Sequence, residues 1–254
     1  MAFDPFILYA LKKYTPEDQD EVFTNLECYV MRQYVIGNTG AMGSFLSDAE
    51  KMIEGTFNFN KALAAAAISD YKLEKALKNI TPTKARLSLF WIELKRHTDP
   101  KSDLYESRMS YIYELEHIMP QKWEEYWSLD ALPILDDEGN PVASEIGKRE
   151  RENAITEIGN MTLLTPGMNK KLRNYCFYDK VKGKKLNRKQ QDGMAEFASL
   201  SITKEVIKPD IDEDGNEVYV WNEDKIHART QRMIEAFKEI WPYRNNIEND
   251  AVSE

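Results

Sequence analysis

A chain of 254 residues, 42% hydrophobic and 30% charged, has the make-up of an ordinary globular protein with room for one large domain or two small ones. No stretch approaches the ~20 apolar residues of a membrane span, and Met1-Ala2-Phe3-Asp4-Pro5 has neither the basic nor the apolar segment of a signal peptide, so the cytoplasm is the expected location. The two cysteines, Cys28 and Cys176, form no Cys-x-x-Cys pair, which excludes a disulfide framework and leaves no structural zinc site to expect, while a net charge of -9 speaks at first against nucleic acid.

Residues 1 to about 100 read as helices. Thr15-Pro16-Glu17-Asp18 carries an N-cap, a first-turn proline and first-turn acids. Val22, Leu26 and Val30 then share one face with Phe23 beside them, and the helix should stop near Gly37-Asn38. A second helix is predicted from about Ser44 to Gly55, with Leu46, Ala49 and Ile53 inward. Ala62 to Leu77 is rich in strong helix formers. Thr81-Pro82 repeats the start signal, and Leu87, Phe90, Trp91 and Leu94 form an apolar stripe after it. His97 closes that helix in a Lys-Arg-His end that suits the dipole.

The pattern changes at Tyr111. Tyr111 to Leu115 alternates like a half-buried strand, and Pro120, which cannot donate to a ladder, should stop it. Glu116 and His117 therefore fall at a strand end. Trp123, Tyr126 and Trp127 follow, then turn residues from Asp136 to Pro141, and a charged surface helix from Ser144 to Ile155. Ile158 to Leu164 reads as a turn and a short second strand; Thr165-Pro166 opens a helix carrying Asn169 and, if it runs on, Asn174.

A basic strip comes next. Lys170, Lys171, Arg173, Lys180, Lys182, Lys184, Lys185, Arg188 and Lys189 face one acid, Asp179, a local excess of +8 that leaves -17 for the rest of the chain. Such a strip can bind phosphate, or it can be a solvated face that balances the acidic remainder. Further on, Asp210-x-Asp212-x-Asp214-Gly215 opens like a calcium loop, but its twelfth position is Trp221 where a bidentate Glu is needed. A hairpin between Lys204–Lys208 and Glu217–Trp221 is predicted instead. The last helix, Glu223 to Ile240, turns Ile226, Thr230, Met233, Ala236 and Phe237 inward, and leaves Arg229 and Arg232 to meet a phosphate or a neighbouring acid. The acidic residues from about Asn245 should fray, with 247–254 a disordered tail.

Two strands and a helix can bring an acid, a histidine and an amide oxygen around one divalent cation. Hard oxygen ligands suit magnesium or manganese, which keep several waters. A neutral His117 can then take a proton from water as it attacks a phosphodiester. Singly, each residue has a plainer reading: a hydrogen-bonded structural histidine, a turn asparagine at 160, a solvated asparagine at 169.

Jointly, Glu116-His117-Ile118-Met119-Pro120-Gln121, Ile158-Gly159-Asn160-Met161-Thr162-Leu163-Leu164-Thr165, and Asn169 with Asn174, Phe177 and Lys180 resemble the HNH nuclease domain of the GmrSD-like restriction endonucleases, a His-Me finger (ββα-metal) family. Trp221, Ile226, Arg229 and Ile240-Trp241-Pro242 look like the end of that domain, and the helical lead-in like the family's middle region. The resemblance implies a predominantly helical α+β fold: a helical region over 1–105, a ββα-metal nuclease domain over 106–246 with C-terminal helices, and the tail.

It also implies roles. His117 matches the general base, Asn160 the middle asparagine that orients it through a loop contact, and Glu116 and Asn169 the ligands of Mg2+ or Mn2+. Lys170, Lys171, Arg173, Asn174, Lys180 and Lys182 are the expected nucleic-acid contacts. The expected activity is DNA phosphodiester hydrolysis in restriction of foreign or modified DNA, an antiviral defence. Two departures stand out. The nucleotide-dependent ParB-like domain usual in the family is absent from this stretch, so a fragment, a separate subunit or a standalone nuclease is expected, with that domain a candidate partner. Arg173 stands where a small residue often precedes Asn174. The competing readings are a non-catalytic module binding nucleic acid or protein through its basic strip, and a nuclease acting on RNA.

Overall fold

The structure, a computed structural model, describes residues 3–38, 49–105, 108–187 and 189–243, in two compact units: 1–76 with 237–254, and 77–236. The expected start at Ser44, the inward Leu46, Arg188 and the acidic tail lie outside the described residues.

In the first unit, α1 (Asp4–Lys13) and α2 (Pro16–Ile36) both start with a proline in the first turn. Thr15 Oγ1 accepts from Asp18 N at 3.3 Å, and at the other end Gly37, with φ 82°, donates to the carbonyls of Gln33 and Tyr34. Short helices follow as α3 (Ala49–Ile53), α4 (Phe59–Ala65) and α5 (Asp70–Leu77). The uniform helix expected over Ala62–Leu77 is thus two helices. Two side chains of α2 explain the break: Gln33 Nε2 donates to Ala66 O at 2.7 Å and Arg32 to Ile68 O at 2.8 Å, satisfying carbonyls that a continuous helix would use internally. Ile53, expected inward, is 88% exposed, and Met52 points into the core in its place. That core joins Phe6, Ala10, Val22, Leu26, Tyr29, Met52, Phe57 and Phe59, with the Phe6 and Phe59 rings stacked 4.2 Å apart.

The second unit begins its helices with α6 (Pro82–Thr98). Its most buried face carries Ala85, Ser88, Leu89, Ile92 and Glu93, with Phe90 beside them, so the expected stripe of Leu87, Phe90, Trp91 and Leu94 is rotated by about a residue. The reason is Glu93, fully buried, whose carboxylate accepts from the backbone N–H groups of Ser201 (2.7 Å) and Ile202 (3.0 Å) and so caps a later helix.

Strand β1 (Glu114–His117) pairs antiparallel with β2 (Met161–Leu164), with Glu114 opposite Leu164, Glu116 opposite Thr162 and His117 opposite Met161. Between them runs α7 (Ser144–Ile155), as expected, and a 3-10 turn over Ile158–Asn160. Arg151 of α7 is fully buried: it pairs with Glu223 at 2.5 Å, lies over the Trp123 ring and donates to the carbonyls of Trp127 and Leu132, tying down the long β1–α7 connection.

After β2 come α8 (Pro166–Leu172) and α9 (Phe177–Lys182), then a hairpin of β3 (Lys184–Leu186) and β4 (Lys189–Gln191). The basic strip is therefore split over two short helices and a hairpin and has no single face. Asn174 lies beyond α8. Next are α10 (Met194–Phe197), α11 (Ser201–Ile207), a two-residue ladder of β5 (Asp210–Ile211) with β6 (Glu217–Val218), and α12 (Glu223–Ile240). The Asp-Gly turn stands, with Gly215 at φ 85°, but residues expected as its first arm belong to α11. Pro209 stops that helix from reaching the turn. Ile118, Met119, Trp127, Ile155, Leu164, Met168, Leu172, Phe177, Val181, Trp221 and Ile226 share one core beneath the β1–β2 ladder. The fold is a predominantly helical α+β arrangement with small antiparallel ladders, and among the described residues no helix is long and apolar enough to cross a membrane.

Candidate active site

The site is built on how closely the turn before β2 approaches α12. A Cβ on Gly159 would sit 2.2 Å from Ile226 O and 2.5 Å from Thr230 N, so only glycine fits. Gly159 N donates to Thr230 Oγ1 at 3.1 Å, while the buried Arg229 donates to Gly159 O (2.6 Å), Met161 O (2.7 Å) and Ile202 O (3.0 Å). Arg229 thus meets backbone carbonyls, where a phosphate or an acid was expected. Burial pulls its pKa down to about 10, which still leaves it charged.

This docking drives Asn160 inside, fully buried. Its Oδ1 accepts from Met119 N (2.9 Å) and Trp221 Nε1 (3.2 Å), and its Nδ2 donates to Met119 O (2.9 Å) and Ile155 O (3.2 Å). Its own carbonyl accepts from Ile118 N at 2.9 Å. Asn160 therefore grips the two residues that follow His117 and faces away from solvent; it holds the strand end and is not itself in the cleft.

His117 is half-buried at the end of β1. Burial, reinforced by the nearby Lys180 charge, lowers its pKa to about 4, so the imidazole is neutral around pH 7, with one ring nitrogen unprotonated, and is a weaker base than a free histidine. Glu116 and Glu114 lie on one face of β1 by strand alternation. Lys180 Nζ donates to Glu116 Oε1 at 2.5 Å and to His117 O at 2.7 Å. Burial raises the Glu116 carboxyl and lowers the Lys180 ammonium, and the contact between them opposes both shifts. Glu116, His117, Gln121, Arg173, Asn174 and Lys180 line an open cleft of about 360 Å³.

Asn169 sits one step along the same strand face: its Nδ2 donates to Glu114 Oε2 at 3.2 Å, and its Oδ1 is buried without a partner. That orphaned oxygen has lone pairs free for a cation or a proton. Glu114 was not singled out from sequence; its place two residues before Glu116 on one strand face was the available signal. Among the described residues no group of three or more His, Cys, Asp or Glu side chains is gathered for a metal. Glu116, Glu114 and the Oδ1 of Asn169 are hard oxygen donors, the type taken by a divalent ion that uses few protein ligands and completes its shell with water.

The expected nucleic-acid contacts are placed differently from one another. Lys170, Lys171 and Arg173 are exposed at and beyond the end of α8. Lys182 is exposed, over the Tyr219 ring and 3.3 Å from Glu217. Lys180 is fully buried and belongs to the site's interior. Arg173 has φ 46° and ψ -145°, a backbone shape that a residue with a Cβ rarely adopts, at the rim of the cleft.

A family model described as GmrSD restriction endonucleases, C-terminal domain, matches residues 67–236, which include all of the site residues named above. Comparison with curated proteins and with solved structures gave no match. With most of its length under that one family description, the chain belongs to the family of GmrSD restriction endonuclease C-terminal domains.

Proposed function

We propose that this chain is a divalent-metal-dependent DNA endonuclease of the HNH (ββα-metal) type, acting in restriction of foreign or modified DNA. The observation that carries the reading is the strand end: Glu116 and His117 border an open cleft, and the loop after them is clamped by the buried Asn160. In this reading His117, neutral at working pH, takes the proton from the attacking water. Asn160 is a positioning residue that fixes the backbone on which the imidazole stands. Glu116 and Asn169 would hold Mg2+ or Mn2+, which when bound supplies charge stabilisation at the scissile phosphate. Lys170, Lys171, Arg173, Asn174 and Lys182 are the proposed contacts to the DNA backbone, and a ParB-like nucleotide-dependent domain is a proposed partner.

The test is a cleavage panel of plain and modified DNA, with and without Mg2+ or Mn2+, beside matched RNA duplexes. Metal-dependent scission of DNA supports the proposal. Salt-sensitive binding with no cleavage in any metal favours the non-catalytic module instead. Replacing the strained Arg173 separates its two aspects. Arg173→Gly should raise stability by up to ~1 kcal/mol, because glycine adopts a positive φ freely, yet weaken DNA binding and flatten its salt dependence. Thermal unfolding and binding at several salt concentrations measure both; unchanged affinity would remove Arg173 from the contact surface.

A further inference from the structure

Lys180 is 0% exposed, and the carboxylate it meets, on Glu116, is 12% exposed. Its placement follows from the fold. Phe177 and Val181 of α9 are buried in the core of the second unit, which fixes the helix and turns residue 180 toward β1. The ammonium then makes two contacts, to Glu116 Oε1 and to the backbone carbonyl of His117. A buried lysine keeps its charge only where that charge is met. Here the partner is the residue proposed to bind metal, and the second acceptor is the backbone of the residue proposed as base. Surface strip and phosphate contact do not describe this side chain.

Resting on the metal-nuclease reading above, we propose that Lys180 is the built-in counter-ion of Glu116. It holds the carboxylate and the strand-end carbonyl in place before a divalent cation arrives, and it competes with that cation for the carboxylate. Two positive charges sharing one carboxylate in a half-buried cleft repel each other far more than they would in water. Two consequences follow. Removing the ammonium makes the site bind a divalent ion more tightly. It also leaves Glu116 buried without its partner, so the fold comes to depend on the ion that replaces it.

The experiment compares the full chain with Lys180→Met and Lys180→Gln. Mn2+ binding is measured by calorimetry, and thermal unfolding is followed in chelator and in Mn2+. Glutamine keeps a donor for Glu116 and the His117 carbonyl but carries no charge, so it separates charge from packing. Both variants are expected to bind Mn2+ about tenfold more tightly than the wild type or better. Both should melt lower in chelator, and Mn2+ should raise their melting temperatures more than it raises the wild type's. Affinity equal to or below the wild type's in both variants overturns the proposal, as does unfolding that is alike with and without Mn2+. Glu116→Gln tells which idea has failed. If that variant still binds Mn2+ like the wild type, the assignment of Glu116 to the metal is wrong. If it loses Mn2+ while the Lys180 variants gain nothing, only the counter-ion role is wrong.

Discussion

Alanine at position 117 is expected to cut DNA cleavage by roughly 10²–10⁴-fold, the span over which a positioned general base contributes, while moving the melting temperature by only a few degrees, within the ~1 kcal/mol of an ordinary substitution. The two halves of that expectation come from different facts. His117 is half-buried at the lining of an open cleft, and among the described residues its ring holds no buried polar group in a hydrogen bond, so its loss strands none there. What it offers is a neutral imidazole around pH 7, which nothing else lining the cleft can replace, since Glu116 is tied to Lys180 and Arg173 is a cation. Single-turnover cleavage with saturating DNA and Mn2+, beside a thermal melt, measures both. Undiminished cleavage by the variant would remove His117 as the base.

Asn160→Ala should behave in the opposite way, losing stability as well as cleavage. The substitution leaves Met119 N, Met119 O, Trp221 Nε1 and Ile155 O in the interior without the partner they now have. Each stranded buried group costs roughly 1–3 kcal/mol, so a total loss of about 4 kcal/mol or more is expected, or a fall of roughly 8–16 °C or more at ~2–4 °C per kcal/mol for a chain of this size. Gly159→Ala should reach a similar loss by another route, because its new methyl group would overlap the Ile226 carbonyl and the Thr230 amide, which are backbone and cannot swing aside. At a temperature where Asn160→Ala is still folded, a cleavage rate below the wild type's identifies a positioning role; a folded variant cutting at the wild-type rate would reduce Asn160 to a packing residue.

Together the two variants separate chemistry from scaffold. One removes a reacting group and spares the fold. The other spares the reacting group and loosens the loop of Ile118 and Met119 that places it.

Several elements could be read directly along the chain. The helices starting at Pro16, Pro82 and Ser144, the strand at Met161–Leu164 and the helix over Glu223–Ile240 lie where capping residues, prolines and apolar periodicity put them, whereas the strand ending in Glu116-His117 begins only at Glu114, and the alternating residues Tyr111 to Tyr113 lie before it. Those signals work because each acts within a turn or two of backbone. The candidate site was legible for the same reason, as an ordered set of short motifs with a strand, a turn and a helix around them.

The misreadings share a cause too. Ile53 and Met52 are neighbours, and which of them turns inward depends on how a short helix meets the Phe6 cluster. The break at residues 66–69 exists because Arg32 and Gln33 take its carbonyls. Glu93 looks like a solvent residue on a helix until Ser201 and Ile202 bring their amides to it. Lys180 looks like one lysine among nine cations in a basic strip, and Asn169 like a solvated amide, until β1 supplies Glu116 and Glu114.

Local residue order was enough to place most helix starts and the two paired strands, since propensity and capping are short-ranged, but not the break at residues 66–69 or the helix at Ser201–Ile207. Which polar groups end up facing each other was settled by packing alone. The ion pair between positions 116 and 180 closes a separation of 64 residues, and the burial that makes such a contact matter arises only once the intervening helices and ladders have folded against one core.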